Sequence, residues 1–322
     1  GATITMTREV TFESLRRFEP MSDKHIIAVG HASLDYVYRI DAFPSSPTKM
    51  RAKSHVASGC GMAANASAAI ARLGGNVSLW ARIGDDAAGG LIRHQLRAAG
   101  VGTSHVRAFD GVSSATAAVI VDMRGERLVI SEDDHEFPLT ADWLPLSDVA
   151  DAAVVVSDLT WLEGTLAVFA EARAQGVPTV LDIDLDSGAL LKHVIGLTDY
   201  AIFSAPAFRS FLPDGSDEER LDRLVQSGIR HAGVTLGSKG YLWSAHGNRT
   251  GFEPAFEVDV VDTTGAGDAF HGAFACSVAQ GLDDANCVRN ASAVAAMSCT
   301  GLGARAALPD ADQLASFLAK AR

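Results

Sequence analysis

The chain is short of several things, and each shortage closes off a class of protein. It has 4 cysteines in 322 residues, Cys60, Cys276, Cys287 and Cys299. No CxxC pair and no histidine at metal-finger spacing accompanies them, so neither a disulfide scaffold nor a zinc module is expected. Reduced thiols in a reducing compartment follow, and with them a cytoplasmic protein. No apolar run approaches the ~20 residues that cross a bilayer, and residues 1–23 carry no apolar signal-peptide core, which argues against export. Basic residues are outnumbered, 27 against 39 acidic, giving a formal charge of −12. A surface of that sign repels nucleic-acid backbones and anionic lipid, so no nucleic acid and no membrane are expected as partners. Any anionic ligand must be held by local devices.

What is present is an ordinary globular composition, 48% hydrophobic and 20% charged. Strand-like apolar runs at residues 25–29, 77–83, 153–156, 179–182, 200–203 and 232–236 alternate with helical stretches at 62–73, 89–99, 165–175, around 190 and 217–227. This alternation predicts an α/β fold, a doubly wound and mainly parallel sheet with helices on both faces. The end of the chain reads as helical over 267–280 and 284–297. One region breaks the pattern: residues 114–122 and 127–131 read as a β-hairpin turning at Gly125. With residues 36–57 it predicts a small antiparallel sheet outside the main one, a β lid over the active-site edge. The expected organisation is an N-terminal extension over 1–23, with Met21 an alternative start, and a single domain over 24–322 whose lid strands come from about 36–58 and 112–131.

The most informative stretch is DVVDTTGAGDAFHGAF at residues 259–274. A strand-like run over 255–261 meets Thr263, Thr264, Gly265, Ala266 and Gly267, and a helix of small residues starts at once. Glycines at such a junction leave backbone N–H groups uncovered, and the helix N-terminus adds positive partial charge. That is a cradle for phosphate. Asp268 stands at its mouth, either as an ordinary helix cap or as a base that takes the proton of an incoming hydroxyl.

DTTGAGDAFHGAF resembles the C-terminal signature of the PfkB, or ribokinase-like, carbohydrate kinases. Further matches follow in order: Gly30-x-x-x-x-Asp35, the segment GCGMAANASAAIARLG over 59–74, Arg82-Ile83-Gly84-Asp85-Asp86, Val234-Thr235-x-Gly237-x-x-Gly240, and Gly303-Ala304-Arg305. The resemblance implies a ribokinase-like fold with a β lid, and ATP-dependent phosphorylation of a hydroxyl on a small sugar. In that reading Asp268 is the catalytic base, and Gly265, Ala266 and Gly267 form the anion hole. Asp35 and Asn65 bind sugar hydroxyls, although a solvated loop Asp and a helix-start Asn are the plain alternatives. Gly59 and Gly61 let the backbone approach the ligand and act as hinges, with Cys60 standing where relatives carry a glycine. Lys49 is either a substrate contact or a surface lysine.

On the nucleotide side, Thr235, Gly237, Gly240 and Thr264 are implied to wrap ATP. Ser204 opens Ser204-Ala205-Pro206-Ala207, which stands where the family commonly shows Asn-x-x-Glu. The acidic residue that helps organise Mg²⁺ waters is therefore absent, and Asp182 and Asp184 are the expected substitutes. Asp262, with residues 262–264 and 300–303, resembles a loop pair that binds a monovalent cation such as K⁺. The chain looks closest to a branch that includes sulfofructose kinase. Ser131 and Thr160, however, replace the Asn and Arg that would serve a sulfonate. The run Glu132-Asp133-Asp134-His135-Glu136 repels anions if it faces the pocket and decides nothing if it is a solvated turn. A neutral sugar or polyol is the expected substrate, and a homodimer through the β lid the expected assembly. Two alternatives remain: a nucleoside kinase using Tyr36, Tyr38 and Phe43 against a base, and a sugar binder that has lost catalysis.

Overall fold

The computed structural model describes residues 24–132, 137–184, 188–247 and 249–321. The expected extension over 1–23 and the acidic run beyond Glu132 lie outside the described residues. In chain order the elements begin with β1 (His25–Val29), β2 (Ser33–Arg39), β3 (Ser54–Cys60), α1 (Met62–Arg72), β4 (Asn76–Gly84), α2 (Ala87–Ala98), β5 (Val106–Phe109), β6 (Thr116–Val121) and β7 (Arg127–Glu132). They continue with β8 (Ala152–Ser157), α3 (Leu162–Gln175), β9 (Thr179–Ile183), α4 (Gly188–Val194), β10 (Tyr200–Ser204), α5 (Ala205–Phe211), α6 (Asp217–Gln226) and β11 (His231–Thr235). The chain ends with β12 (Gly240–Ala245), β13 (Arg249–Pro254), α7 (Ala266–Ala279), α8 (Asp284–Ser298) and α9 (Ala311–Lys320).

Strands that are apolar at nearly every position have no solvent face, and they form the middle of a sheet covered on both sides. The main sheet runs β13-β12-β11-β10-β9-β8-β1-β4-β5. It is parallel from β11 to β5, with β12 and β13 added antiparallel at one edge. Alternate side chains of β1 enter different cores: Ile26 and Ala28 pack with Ile70, Phe274 and Ala291, whereas Ile27 and Val29 pack with Phe169, Phe208 and Leu221. One core is thus roofed by α1, α7 and α8 and the other by α3, α5 and α6. Strand order reverses beside β1, where the loops after β1 and β8 part to opposite faces and open a crevice.

The second sheet has the order β3-β2-β6-β7. It is mixed, not antiparallel as expected, because β2 and β6 pair in parallel. β2 follows β1 and β6 follows β5, and both leave the parallel sheet from the same end, so they run the same way. The strand expected over 255–261 is absent: that stretch has no regular structure, and Val260 and Val261 are exposed.

α1 and α7 cross at very close range. A Cβ on Gly272 of α7 would lie 2.5 Å from the Ala66 carbonyl oxygen and 3.1 Å from Ala69 Cβ, both in α1. This contact brings the start of one helix to the start of the other. Alanine favours a helix over glycine by about 1 kcal/mol, but here its methyl would strike rigid backbone. Gly272→Ala is expected to destabilise the fold by about 1–3 kcal/mol, read from the midpoint of urea unfolding. A more stable variant would show that the helices can separate freely.

Candidate active site

The site grows from the N-terminus of α7. Gly265, its N-cap, has φ 73°, and a Cβ there would meet Ala304 Cβ at 2.5 Å, so only glycine fits. No side chain caps the helix, which leaves N–H groups of its first turn available to an anion. Asp268 sits in that turn and is half-buried. Asn65 of α1, 2% exposed, donates its amide N–H to Asp268 Oδ2 at 2.7 Å. Burial first, and then the charge of Asp182, push the Asp268 carboxyl up to about 7.

Asp182, at the end of β9, is buried, and this burial together with Asp158 and Asp184 drives its carboxyl well above the usual range. His271 lies one turn beyond Asp268 on α7. Its Nδ1 is 2.6 Å from the Gly267 carbonyl and 3.3 Å from Asp182 Oδ2. A carbonyl only accepts, so Nδ1 carries the hydrogen, and burial keeps the imidazole neutral by lowering its pKa. Asp158, 1% exposed, closes the crevice between β1 and β8. It accepts from the N–H groups of His31 (2.9 Å), Ala63 (3.0 Å) and Thr160 (3.0 Å), and from the Thr160 hydroxyl at 2.5 Å. Asp158 and His271 escape a motif reading. The spacing of three between Asp268 and His271, which puts both on one helix face, is the signal that finds the latter.

On the side of the small sheet, Asp35 of β2 is raised by burial and lowered in turn by the Cys60 thiol, His31 and Arg305. Cys60 ends β3; burial, and then Asp35 and Asp268, push its thiol up to about 11. Arg305 donates through Nε to Asn65 Oδ1 at 2.8 Å. Asp35, Cys60, Asn65, Arg305 and Asp268 therefore form one polar cluster.

A cleft of about 890 Å³ opens on the other side of the anion loop. It is lined by Thr235, Gly237, Gly240, Thr263, Ala266 and Gly267, and apolar wall comes from Phe256, Val258 and Ala295. The irregular stretch after β13 builds that wall, which explains why its apolar residues have no sheet partner.

Several predicted site residues stand elsewhere. Thr264 does not line the cleft: its N–H (2.9 Å) and hydroxyl (2.8 Å) donate to Asp262 Oδ1, and Thr263 takes its place. Ser204 caps α5, accepting from Ala207 N–H at 3.4 Å, and is not part of the cleft wall. Lys49 is exposed in the loop between β2 and β3, and Ser131 is exposed on β7. The loops over 261–264 and 299–303 do meet, with Gly303 N–H donating to Asp262 Oδ2 at 2.9 Å. Arg127 of β7 pairs with Asp262 and also donates to the Thr264 hydroxyl at 2.5 Å. Burial acts against it, but these N–H donors, followed by Arg127, hold Asp262 below the usual carboxylate range. Arg127 thus supplies the positive charge at this loop pair.

Among the described residues no cluster of three or more His, Cys, Asp or Glu side chains is set to hold a metal. Mg²⁺ carried on nucleotide phosphates keeps several waters and takes only one or two carboxylates from a protein. Of the two aspartates expected to order those waters, Asp184 is exposed, whereas Asp182 is turned inward to His271. No helix among the described residues is long and apolar enough to cross a membrane.

An uncapped helix end beside a nucleotide-sized cleft, with a proton acceptor at its mouth, suits transfer of a phosphoryl group to a hydroxyl. The class is a phosphotransferase with an alcohol acceptor. The model of the pfkB family carbohydrate kinases matches residues 23–311, and the chain belongs to that family, whose members are kinases of carbohydrates and nucleosides. It is 29% identical over 312 residues to the ATP-dependent ribose-1-phosphate kinase of Halopiger xanaduensis, covering 92% of this chain and 98% of the relative. It is 26% identical over 299 residues to the ribokinase of Bacillus subtilis, covering 92% and 99%. A crystal structure of a candidate ribokinase from Agrobacterium tumefaciens superposes with a TM-score of 0.87 at 32% identity, covering 92% and 98%.

The raised Cys60 thiol gives a check on the cluster. A shift from 9.0 to about 11 reduces the thiolate at pH 8 by roughly 100-fold, and alkylation by iodoacetamide follows the thiolate. Mass spectrometry of the Cys60 peptide in the native protein is expected to show that slowing against the unfolded chain. Equal rates would place the thiol outside the carboxylate cluster.

Proposed function

We propose that the protein transfers the γ-phosphoryl group of ATP to a hydroxyl of a small neutral sugar or polyol, with Asp268 as general base. The observation that carries this reading is a carboxyl raised to about 7 at the mouth of an uncapped helix N-terminus. ATP occupies the cleft, its phosphates toward Gly237, Gly240 and Gly267 and its base against Phe256, Val258 and Ala295. The acceptor lies between Asp35 and Asp268. As the acceptor oxygen bonds to the γ-phosphorus, its proton passes to Asp268, and the bond between that phosphorus and the β,γ-bridging oxygen breaks to release ADP. N–H groups of the first turn of α7 face the charge that develops on the transferred group. Mg²⁺ bound with ATP would neutralise phosphate charge, with Asp184 ordering its waters.

The small sheet acts as a lid that excludes water from the transfer. Its reach to the anion loop through Arg127 supports that role. Two carboxylates facing the acceptor favour a neutral substrate over an anionic one. A nucleoside acceptor is less well served, because Tyr36 packs against the core and Tyr38 stacks on His55, leaving neither free to hold a base. β7 is an edge strand with Leu128, Val129 and Ile130 exposed by 46%, 55% and 60%, which supports a homodimer through the lids.

ADP release with Mg-ATP is to be measured against D-ribose, D-fructose, 2-deoxyribose, sugar phosphates and inosine. One neutral sugar is expected to turn over, and Asp268→Asn to slow it by roughly 10²–10⁴-fold. A base must be deprotonated, so kcat/KM is expected to fall as pH drops through about 7. Full activity in the variant would remove Asp268 from the chemistry. In light scattering, Ile130→Asp is expected to reduce a dimeric mass to that of one chain, and an unchanged dimer would place the interface elsewhere.

A further inference from the structure

Asn65 stands at the centre of a chain of three side chains. Its amide nitrogen donates to Asp268 Oδ2 at 2.7 Å and its oxygen accepts from Arg305 Nε at 2.8 Å. The amide nitrogen also faces Cys60 Sγ at 3.6 Å. The donors of this buried amide are therefore occupied within the protein, which reassigns Asn65 from a sugar contact to a partner of the base.

The order of donors along the chain has one solution. A guanidinium has only donors and keeps its charge at any working pH. Facing it, the amide must present its oxygen, so its nitrogen is turned to Asp268 and Oδ2 must accept. A proton arriving on Asp268 is then confined to Oδ1, which accepts no hydrogen bond among the described residues. The guanidinium of Arg305 packs on the bare backbone of β3, where a Cβ on Gly59 would lie 2.7 Å from its Nη1.

Resting on the reading of Asp268 as base, we propose that Arg305 is a positioning residue, which through Asn65 dictates the oxygen of Asp268 that takes the acceptor's proton. No other neighbour of Asp268 can substitute. Asp182 of β9 lies against His271, its Oδ2 3.3 Å from Nδ1, and Asp158 accepts from four donors. His271 of α7 gives its Nδ1 hydrogen to Gly267, and the Cys60 thiol of β3 faces Asp35. Without Arg305 the amide is free to turn over, and a protonated Oδ2 can donate to it, leaving the proton on the wrong side. Loss of the nearby positive charge also raises the Asp268 pKa.

The test compares Arg305→Met, Arg305→Lys and Asp268→Asn with the unaltered protein, using D-ribose or whichever sugar of the panel turns over fastest. Arg305→Met is expected to lower kcat by about 10- to 100-fold, with KM for ATP and sugar within about twofold and the acid limb of the pH profile moved to higher pH. Arg305→Lys keeps a donor and is expected to recover part of the rate. Arg305→Gln, whose side chain can face Asn65 with either donor or acceptor, takes the place of the Met variant if that chain fails to fold. Unchanged kcat and acid limb would overturn the proposal. So would a raised KM for the sugar at constant kcat, which would make Arg305 a direct sugar contact. An active Asp268→Asn would instead overturn the base assignment itself, whatever the Arg305 variants do.

Discussion

Three carboxyl groups, those of Asp158, Asp182 and Asp268, meet where the main sheet opens, and the rest of the site is arranged around keeping them there. A buried carboxylate is costly unless donors surround it or a proton neutralises it. Each group takes a different way out. Asp158 gathers four donors from the loops after β1 and β8 and from α1. Asp182 is driven toward its neutral form beside a neutral His271. Asp268 has a single side-chain hydrogen bond among the described residues, from Asn65, and its carboxyl is raised to about 7. The donors that make Asp158 tolerable also fix the start of α1, and so the place of Asn65. One electrostatic problem and its solution thereby set the position of the Asp268 carboxyl.

The helices that carry Asn65 and Asp268 meet through small residues. α1 is rich in alanine, α7 places Gly272 against it, and both helices are buried almost throughout. Bulkier side chains would separate the helices by an ångström or more and break a 2.7 Å hydrogen bond. The small sheet is joined to the body by Gln95 of α2, which accepts from Gly59 N–H and donates to the Ala57 carbonyl at 3.0 Å. At its far side Arg127 reaches Asp262 and Thr264. The small sheet is thus held at its root by neutral hydrogen bonds and at its far side by an ion pair to the loop before α7.

Much of this was legible in the sequence, and for definite reasons. Continuous apolar runs such as those of β8 and β10 announced a sheet covered on both faces, because a strand without a polar side has no other place to go. Gly265 and Gly267 at the start of a helix of small residues announced an uncapped helix N-terminus, which α7 has. Asp268 stood out as an acid in that position. The parallel pairing of β2 with β6 was not legible, since hairpin signals describe neighbours in sequence and this pair is joined through β3, α1, β4, α2 and β5. The stretch over 255–261 misled for a related reason: it is apolar because it lines a cleft, and composition does not distinguish a cleft wall from a strand.

What the sequence alone determined was the set of local conformations and the chemistry available: where the chain turns, where backbone N–H groups stay uncovered, and which acid lies beside them. These depend on residues a few positions apart. Only the tertiary structure shows the partners of Arg305, Asn65, Asp158, Asp182 and His271. Thr264, Ser204 and Lys49, expected at ligand contacts from sequence, respectively stabilise a loop, cap a helix and face solvent. Hydrogen-bond partners, burial and charge proximity are properties of groups brought together from distant parts of the chain. Asn65 and Arg305 lie 240 positions apart, and no pattern at either position states that they touch.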